Sequence, residues 1–213
     1  LFKEHLTIGS DDNQTLTNTN LSQYDNSVSA DADVFHEVNA TDDLTVDSTA
    51  FSTQEELYVK TGNTFQPASA GGADVTTTHV ELVGTWTADA NAINTSGNWV
   101  NSGTFTANTS TVTLNGAAAQ AVTTNAQSFN AVTVNNTGAD GTTDDVTISG
   151  ALDVNGAFLM TNGDLKLDTN DPNVTTAGDL TIGSSAFVTK ADNGTATWTF
   201  DGTGTSTWTD SVS

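Results

Sequence analysis

Closely spaced carboxylates and amides are the groups in this chain that are best placed to do chemistry, and the chemistry they indicate is calcium binding. The densest cluster is Asp164, Asp168, Asn170 and Asp171, in the run DLKLDTNDPN. Calcium takes oxygen ligands from Asp, Asn and backbone carbonyls, often in turns. Two further acidic runs, 140–145 and 31–33, are weaker candidates, and none of the three follows the spacing of an EF-hand loop. No cofactor is required by the sequence, and calcium is the candidate it offers.

Catalytic arrangements are poorly supported. His5, His36 and His79 share no motif and have no serine or cysteine elbow beside them. Adjacent aspartates such as Asp144 and Asp145 are expected to point to opposite faces of a strand or to sit in turns, so they do not supply the convergent carboxylate pair of a glycosidase. Arginine is absent, and the four lysines are scattered. We therefore predict that the protein is not an enzyme.

The charge of the chain excludes two classes of partner. It has 26 acidic residues and four basic ones, for a net charge of −22. Such a chain repels the phosphate backbone of nucleic acids and the anionic surface of membranes. No apolar run approaches the roughly 20 residues of a membrane-spanning helix, and there is no cysteine for a disulfide or a thiolate metal site. The acidity is also explained by the solubility of an exposed extracellular protein.

Tryptophans and threonines allow two binding interpretations, each with a structural alternative. Trp86, Trp99 and Trp198 could form a platform for sugar rings, but they occupy strand positions that Leu or Ile take elsewhere, which favours core packing. Thr-x-Thr triplets such as 85–87 could form ice-binding rows. They also fit the solvent half of ordinary strand alternation.

The elements that would position these residues are short β-strands. Thr, Ser, Asn, Asp and Gly dominate the chain, and this composition favours strands and tight turns over helices. Apolar residues recur with a period of two, which places each pair on one face of a strand. The clearest such triplets are 6–8, 44–46, 57–59, 112–114, 132–134, 146–148, 152–154, 165–167, 180–182 and 198–200.

Internal repetition indicates how the strands assemble. Residues 178–187 read GDLTIGSSAF, and residues 42–51 read DDLTVDSTAF. A longer unit, 83–116, aligns with 162–202. Repeated short strands that cannot fold alone bury their apolar faces by stacking as the rungs of a solenoid. We therefore predict an all-β parallel β-helix with about 20 to 25 residues per rung; the alternative is an antiparallel β-sandwich.

The chain divides into two parts by regularity. Residues 1–75 are expected to form a capping or accessory β region, and residues 76–213 the solenoid repeats. The first long unit is followed by a further strand that has no counterpart after the second unit. We therefore expect that the solenoid is incomplete and that the chain is a processed product of something longer. An open solenoid end is a template for further strands. Self-association is therefore predicted end to end or by strand donation, through Phe2, Leu6, Ile8 and Trp208.

The run GNWVNSGTFTANTSTVTLNG, with FNAVTVNNTG, GALDVNG and GDLTIGSS after it, resembles the repeats of large secreted bacterial surface proteins. These are similar in style to filamentous-haemagglutinin and autotransporter adhesins. The resemblance covers residues 84–202 and implies a β-helix with an extracellular or cell-surface structural role. It implies no ligand and no catalytic residue.

Together these features predict a structural component of the cell surface or extracellular matrix that polymerises through β-strand pairing into a filament, stalk or layer. The expected partner is another copy of the chain. The alternative is an adhesin module that binds carbohydrates or a host surface, and ice binding and polysaccharide degradation are less favoured.

Overall fold

The computed structural model describes residues 56–211 apart from 60, 63, 68–73, 140, 142 and 191–193, together with the backbone of five strands before residue 56. All the regular structure described is β-strand, and all the strand pairs in register are parallel. The predicted parallel β-solenoid is confirmed, and the antiparallel sandwich is wrong. No helix of membrane-spanning length and apolarity occurs in this described part.

The strands form three stacks that the chain visits in turn. The first stack contains β5 (Ala50–Ser52), β8 (Asp74–Thr77), β11 (Ala92–Thr95), β14 (Thr111–Leu114), β17 (Ala131–Asn135) and β24 (Trp208–Asp210). The second contains β1 (His5–Ile8), β3 (Phe35–Val38), β6 (Glu56–Val59), β9 (His79–Leu82), β12 (Trp99–Asn101), β15 (Gln120–Thr123) and β18 (Asp145–Ser149). The third contains β2 (Gln14–Thr17), β4 (Leu44–Asp47), β7 (Thr64–Pro67), β10 (Thr85–Thr87), β13 (Thr104–Thr106), β16 (Ser128–Phe129), β19 (Leu152–Val154), β21 (Val174–Thr176) and β23 (Trp198–Phe200).

Two long strands join the first and second stacks into one sheet. They are β20 (Phe158–Lys166) and β22 (Leu180–Thr189), and each begins in the first stack and ends in the second. Their pairing shifts register between Met160 and Asn162, where the path bends from one face to the other. The third stack is two sheets, one ending at β13 and the next starting at β16.

From β8 to β24, the part of the chain in which most side chains are described, the solenoid makes about six turns of unequal length. Val75 pairs with Ile93 on the next turn, whereas the turn that carries Leu180 to its partner Trp208 is clearly longer. The predicted length of about 20 to 25 residues per rung therefore lies between the lengths of these two turns. Variation is accommodated in the loops between strands, because loop length costs little free energy compared with loss of strand pairing.

The core lies inside the coil and is built from the predicted inward positions. Val112, Leu114, Val132 and Val134 are buried, and the residues between them are partly exposed. The same alternation holds in most strands whose side chains the structure describes. Each turn stacks similar inward residues on the last, so the strands bury an apolar column that none could bury alone.

Aromatic rings fill one part of this column. Trp86 and Trp99 are fully buried and stack with ring centres 5.5 Å apart. Phe65 and Phe105 pack edge-on against Trp86, at 5.3 and 5.6 Å. Trp198 is partly buried and stacks on Phe158 at 5.2 Å. The prediction that these tryptophans pack in the core is confirmed for Trp86 and Trp99 and holds in part for Trp198.

Outward threonines follow the same alternation. Thr104 and Thr106 are exposed on either side of buried Phe105, and Thr85 and Thr87 flank buried Trp86. These threonines are the solvent half of strands whose other half is core.

The sequence echo does not mark equivalent places in the fold. Residues 44–46 belong to β4 in the third stack, whereas 180–182 begin β22 in the first. The longer alignment, of 83–116 with 162–202, also joins positions in different stacks. It pairs Trp99, which lies in the second stack, with Leu180, which lies in the first. A strand with two apolar residues on one face suits any of the three stacks, so the motif recurs without keeping its phase.

Strand pairing continues across the predicted boundary at residue 75. Strand β5 pairs with β8, β6 with β9 and β7 with β10, all in parallel register. The division into 1–75 and 76–213 stays a prediction, since the side chains before Leu57 lie outside the described residues. Phe2 and the acidic run 31–33 lie outside them as well.

Candidate functional site

Three aspartates converge where the start of β18, with Asp144 just before it, meets the second half of β20. Asp145 opens β18 and is the direct register partner of Asp164 on the next turn of the solenoid. The backbone N–H of Asp164 donates to the carbonyl oxygen of Asp144 at 3.1 Å. Parallel stacking therefore places Asp164 beside two consecutive acidic residues.

A glycine permits this close approach. Gly163 has φ +92°, in the left-handed region, and a Cβ there would lie 2.8 Å from the carbonyl oxygen of Asp144 and 3.0 Å from Cβ of Asn136. Only glycine fits both the conformation and the space. The turn before β18 is held by the N–H of Gly141, which donates to Oδ1 of Asp144 at 3.1 Å.

Asp144, Asp145 and Asp164 each present a carboxylate oxygen within 4.8 Å of the other two. Asp144 is 6% exposed and Asp164 8%, while Asp145 is half-buried. Of the two expected placements, a turn is confirmed for Asp144, and opposite faces of one strand are not found, since the two carboxylates converge. Asp144 is the last residue of a turn and not part of the strand, so strand alternation does not separate its side chain from that of Asp145.

Lys166 is the cation beside this group. Its Nζ lies 3.4 Å from Oδ1 of Asp145 and 3.5 Å from Oδ2 of Asp164. Both distances are longer than the roughly 2.7 to 2.9 Å of a strong charge-assisted hydrogen bond. Oδ1 of Asp164 is enclosed and accepts no hydrogen bond, whereas the enclosed Oδ1 of Asp145 has the ion pair with Lys166. One loosely placed ammonium thus contacts two of the three carboxylates.

The surroundings shift the pKa values of Asp164 and Lys166. Burial, and then the negative charge of Asp144, raise the pKa of the Asp164 carboxyl. Burial alone would lower the pKa of Lys166, but the carboxylates of Asp145 and Asp164 outweigh it and raise that pKa. Both shifts have the sign expected where negative charge is in excess.

The predicted four-residue calcium cluster is only partly assembled. Asp164 belongs to the converging group, whereas Asp168 and Asn170 are exposed in the loop after β20. The side chain of Asn170 donates to the carbonyl oxygen of Ile148 at 2.9 Å. Asp171 is partly buried, with φ 47°. A site made of Asp164 with these three stays a prediction.

The pairing of Asp145 with Asp164 is the part of this group that sequence reasoning missed. The two residues belong to different acidic runs and are separated by one turn of the solenoid. The length of that turn cannot be read from local alternation. The sequence offered one signal for this pairing, namely that Asp145 and Asp164 are separated by about the length of one turn.

Of the three histidines, His79 has a described side chain, and its role is structural. Its Nδ1 accepts the backbone N–H of Asn98 at 2.9 Å. His5 and His36 lie in the paired strands β1 and β3, where their register partners are Phe35 and Leu6, and the backbone alone of these strands is described. Among the described residues no second histidine or cysteine joins His79 in a cluster that could hold a metal.

The C-terminal end of the described solenoid exposes apolar side chains. Trp208 is 61% exposed, Phe187 43% and Phe200 39%. They line a concavity of about 390 Å³ together with Leu180, Ile182 and Trp198. Of the predicted self-association residues, Trp208 lies at this end, and Leu6 and Ile8 lie in β1 at the opposite end of the strand order.

No protein-family model, curated protein or solved structure matches this chain. The β-solenoid fold is therefore the level at which the chain is classified.

Proposed function

We propose that this chain is a non-enzymatic structural module of the cell surface or extracellular matrix, which stacks end to end with further copies through parallel β-strand pairing. The observation that carries the proposal is the exposed apolar surface at the C-terminal end, formed by Phe187, Phe200 and Trp208. We call this surface the apolar end.

Edge strands accompany the apolar end. Among the described strands, β24 pairs with β22 alone and β23 with β21 alone, so each has one edge open to a further strand. Exposed strand edges beside apolar surface are templates for pairing with another chain. Trp208 stands in register with Leu180, a core residue of the preceding turn, so a further turn above it would bury its ring.

A second copy offers the matching edge. All the registered pairs are parallel, so each turn presents the next with the same pattern of backbone donors and acceptors. Strands β1 and β2 lie at the opposite end of the strand order, where Leu6 and Ile8 belong to β1. Joining β1 of one copy to the apolar end of another continues the same pairing. Such a head-to-tail contact builds a filament if the rotation does not close.

Composition and resemblance support the cell-surface setting. A Thr/Asn/Gly-rich solenoid without cysteine, similar in style to secreted adhesin repeats, suits an extended extracellular module. The net charge of −22 opposes contact between copies, so assembly should require counterions.

Electron microscopy and sedimentation velocity test the proposal. We expect the wild-type chain to form filaments or a ladder of oligomers at about 0.5 M NaCl, where the Debye length falls below about 10 Å. Trp208→Asp should leave it monomeric, because a charge would occupy the join. Val100→Asp is the matched control, since Val100 is 40% exposed on the side of β12 and away from the end.

Two results would contradict end-to-end stacking. One is a uniformly monomeric wild-type chain at high salt with calcium present. The other is assembly by Trp208→Asp that equals that of Val100→Asp.

A further inference from the structure

We propose that Asp144, Asp145 and Asp164 bind one calcium ion, in a site that stands independently of end-to-end stacking. The three carboxylates come from a turn and two adjacent strands, and they present oxygens within 4.8 Å of one another. With a Ca–O distance of about 2.4 Å, one Ca²⁺ reaches oxygens up to about 4.8 Å apart.

An enclosed and unpaired oxygen is the second observation that points to a ligand. Oδ1 of Asp164 has almost no contact with solvent and no hydrogen-bond donor, in a residue that is 8% exposed. A buried carboxylate oxygen left without a partner is costly, and native structures normally satisfy such atoms with protein, water or an ion.

Lys166 does not meet this need. Its ammonium approaches one oxygen of Asp145 and one of Asp164 at 3.4 and 3.5 Å, and Oδ1 of Asp164 is not among its contacts. Three carboxylates against one ammonium leave two negative charges uncompensated, which a divalent cation neutralises. Because Asp145 is only half-buried, the site is open toward solvent at this residue. Water molecules can enter there and complete the coordination sphere of the calcium ion.

To test the site, the full chain is treated with a chelator and then titrated with calcium in about 0.15 M NaCl. Calorimetry measures the binding, and thermal unfolding measures the change in Tm. We expect one saturable site with a Kd of about 0.1 mM, within the range of extracellular calcium modules. About 10 mM calcium should raise Tm by about 5 to 10 °C. The same concentration of magnesium should raise Tm less, because Mg²⁺ keeps its water and demands shorter distances.

Matched variants separate this site from diffuse binding to an acidic chain. Asp164→Asn should abolish the saturable heat and the rise in Tm. Asp201→Asn makes the same charge change at an exposed position just after β23, outside both calcium candidates, and should leave the saturable heat and the rise in Tm intact. Lys166→Gln should tighten calcium binding about tenfold, because it removes the competing positive charge. This variant keeps the test informative if Asp164→Asn fails to fold.

Four results would overturn the site. The first three are calcium responses of equal size in Asp164→Asn and Asp201→Asn, a wild-type chain with no saturable binding, and an equal or larger Tm rise with magnesium. If Lys166→Gln lowers stability and still gives no calcium response, the cluster is an ion-pair network only.

Discussion

At the scale of single residues, the buried amide of Gln120 holds neighbouring turns of the solenoid together. Gln120 is 2% exposed, and its Nε2 donates to the carbonyl oxygens of Thr95 and Gly97 at 3.1 and 2.6 Å. Its Oε1 accepts from the N–H of Gly116 and from Nδ2 of Asn136. One side chain thus fastens three successive turns.

Gln120→Leu should therefore be strongly destabilising. The substitution keeps the volume but strands the N–H of Gly116 and the carbonyl group of Gly97 in the interior, at about 1 to 3 kcal/mol for each unsatisfied group. The carbonyl oxygen of Thr95 still accepts the backbone N–H of Asn115 at 3.0 Å. We expect a loss of about 3 kcal/mol in the free energy of unfolding, measured by urea denaturation. Gln127→Leu is the control, since Gln127 is only partly buried and makes one bond of 3.4 Å. Equal losses in the two variants would show that the network adds nothing.

At the scale of elements, stacked turns limit the residues that fit. Gly103 follows β12, and a Cβ on it would collide with the carbonyl oxygen of Gly84 one turn earlier. The backbone N–H of Gly103 also donates to the carbonyl oxygen of Leu82 at 2.9 Å and to Oδ1 of Asn101 at 2.9 Å. The turn is therefore packed backbone against backbone.

Gly103→Ala should push these two turns apart and weaken the third stack. We expect a loss of about 2 kcal/mol, typical of overpacking at a rigid contact. Gly204→Ala adds the same methyl group with no atom within 4 Å and should change stability little. Chemical denaturation of both variants measures the difference, and a Gly103→Ala variant as stable as Gly204→Ala would contradict the packing.

At the scale of the whole molecule, a net charge of −22 on a slender coil makes self-repulsion a general cost. Stacking places equivalent positions of successive turns next to one another, so acidic residues in neighbouring turns meet. The contact of Asp145 with Asp164 is one case.

Raising NaCl from about 10 mM to about 0.5 M should therefore stabilise the fold. Screening shortens the Debye length from about 30 Å to less than about 10 Å. We expect Tm to rise by on the order of 5 °C, measured by circular dichroism with a chelator present so that calcium does not contribute. A Tm that stays level or falls with salt would show that repulsion is not limiting.

What the sequence by itself determined was local. Period-two alternation identified the strand triplets, and residues such as Val112, Val134 and Ile148 are buried as that pattern predicts. The repeats identified a solenoid, since strands so short gain stability only by stacking. Trp86 and Trp99 occupy strand positions that Leu or Ile take in other strands, and this pattern correctly predicted that they lie in the core.

Only the tertiary structure decided which strands stack on which. A strand with two inward apolar residues fits any of the three stacks, and turns of unequal length shift the phase without leaving a local signal. For that reason the echo of 42–51 in 178–187 does not join equivalent faces. For the same reason the meeting of Asp145 with Asp164 follows from register, which is a property of neighbouring turns and not of any one strand.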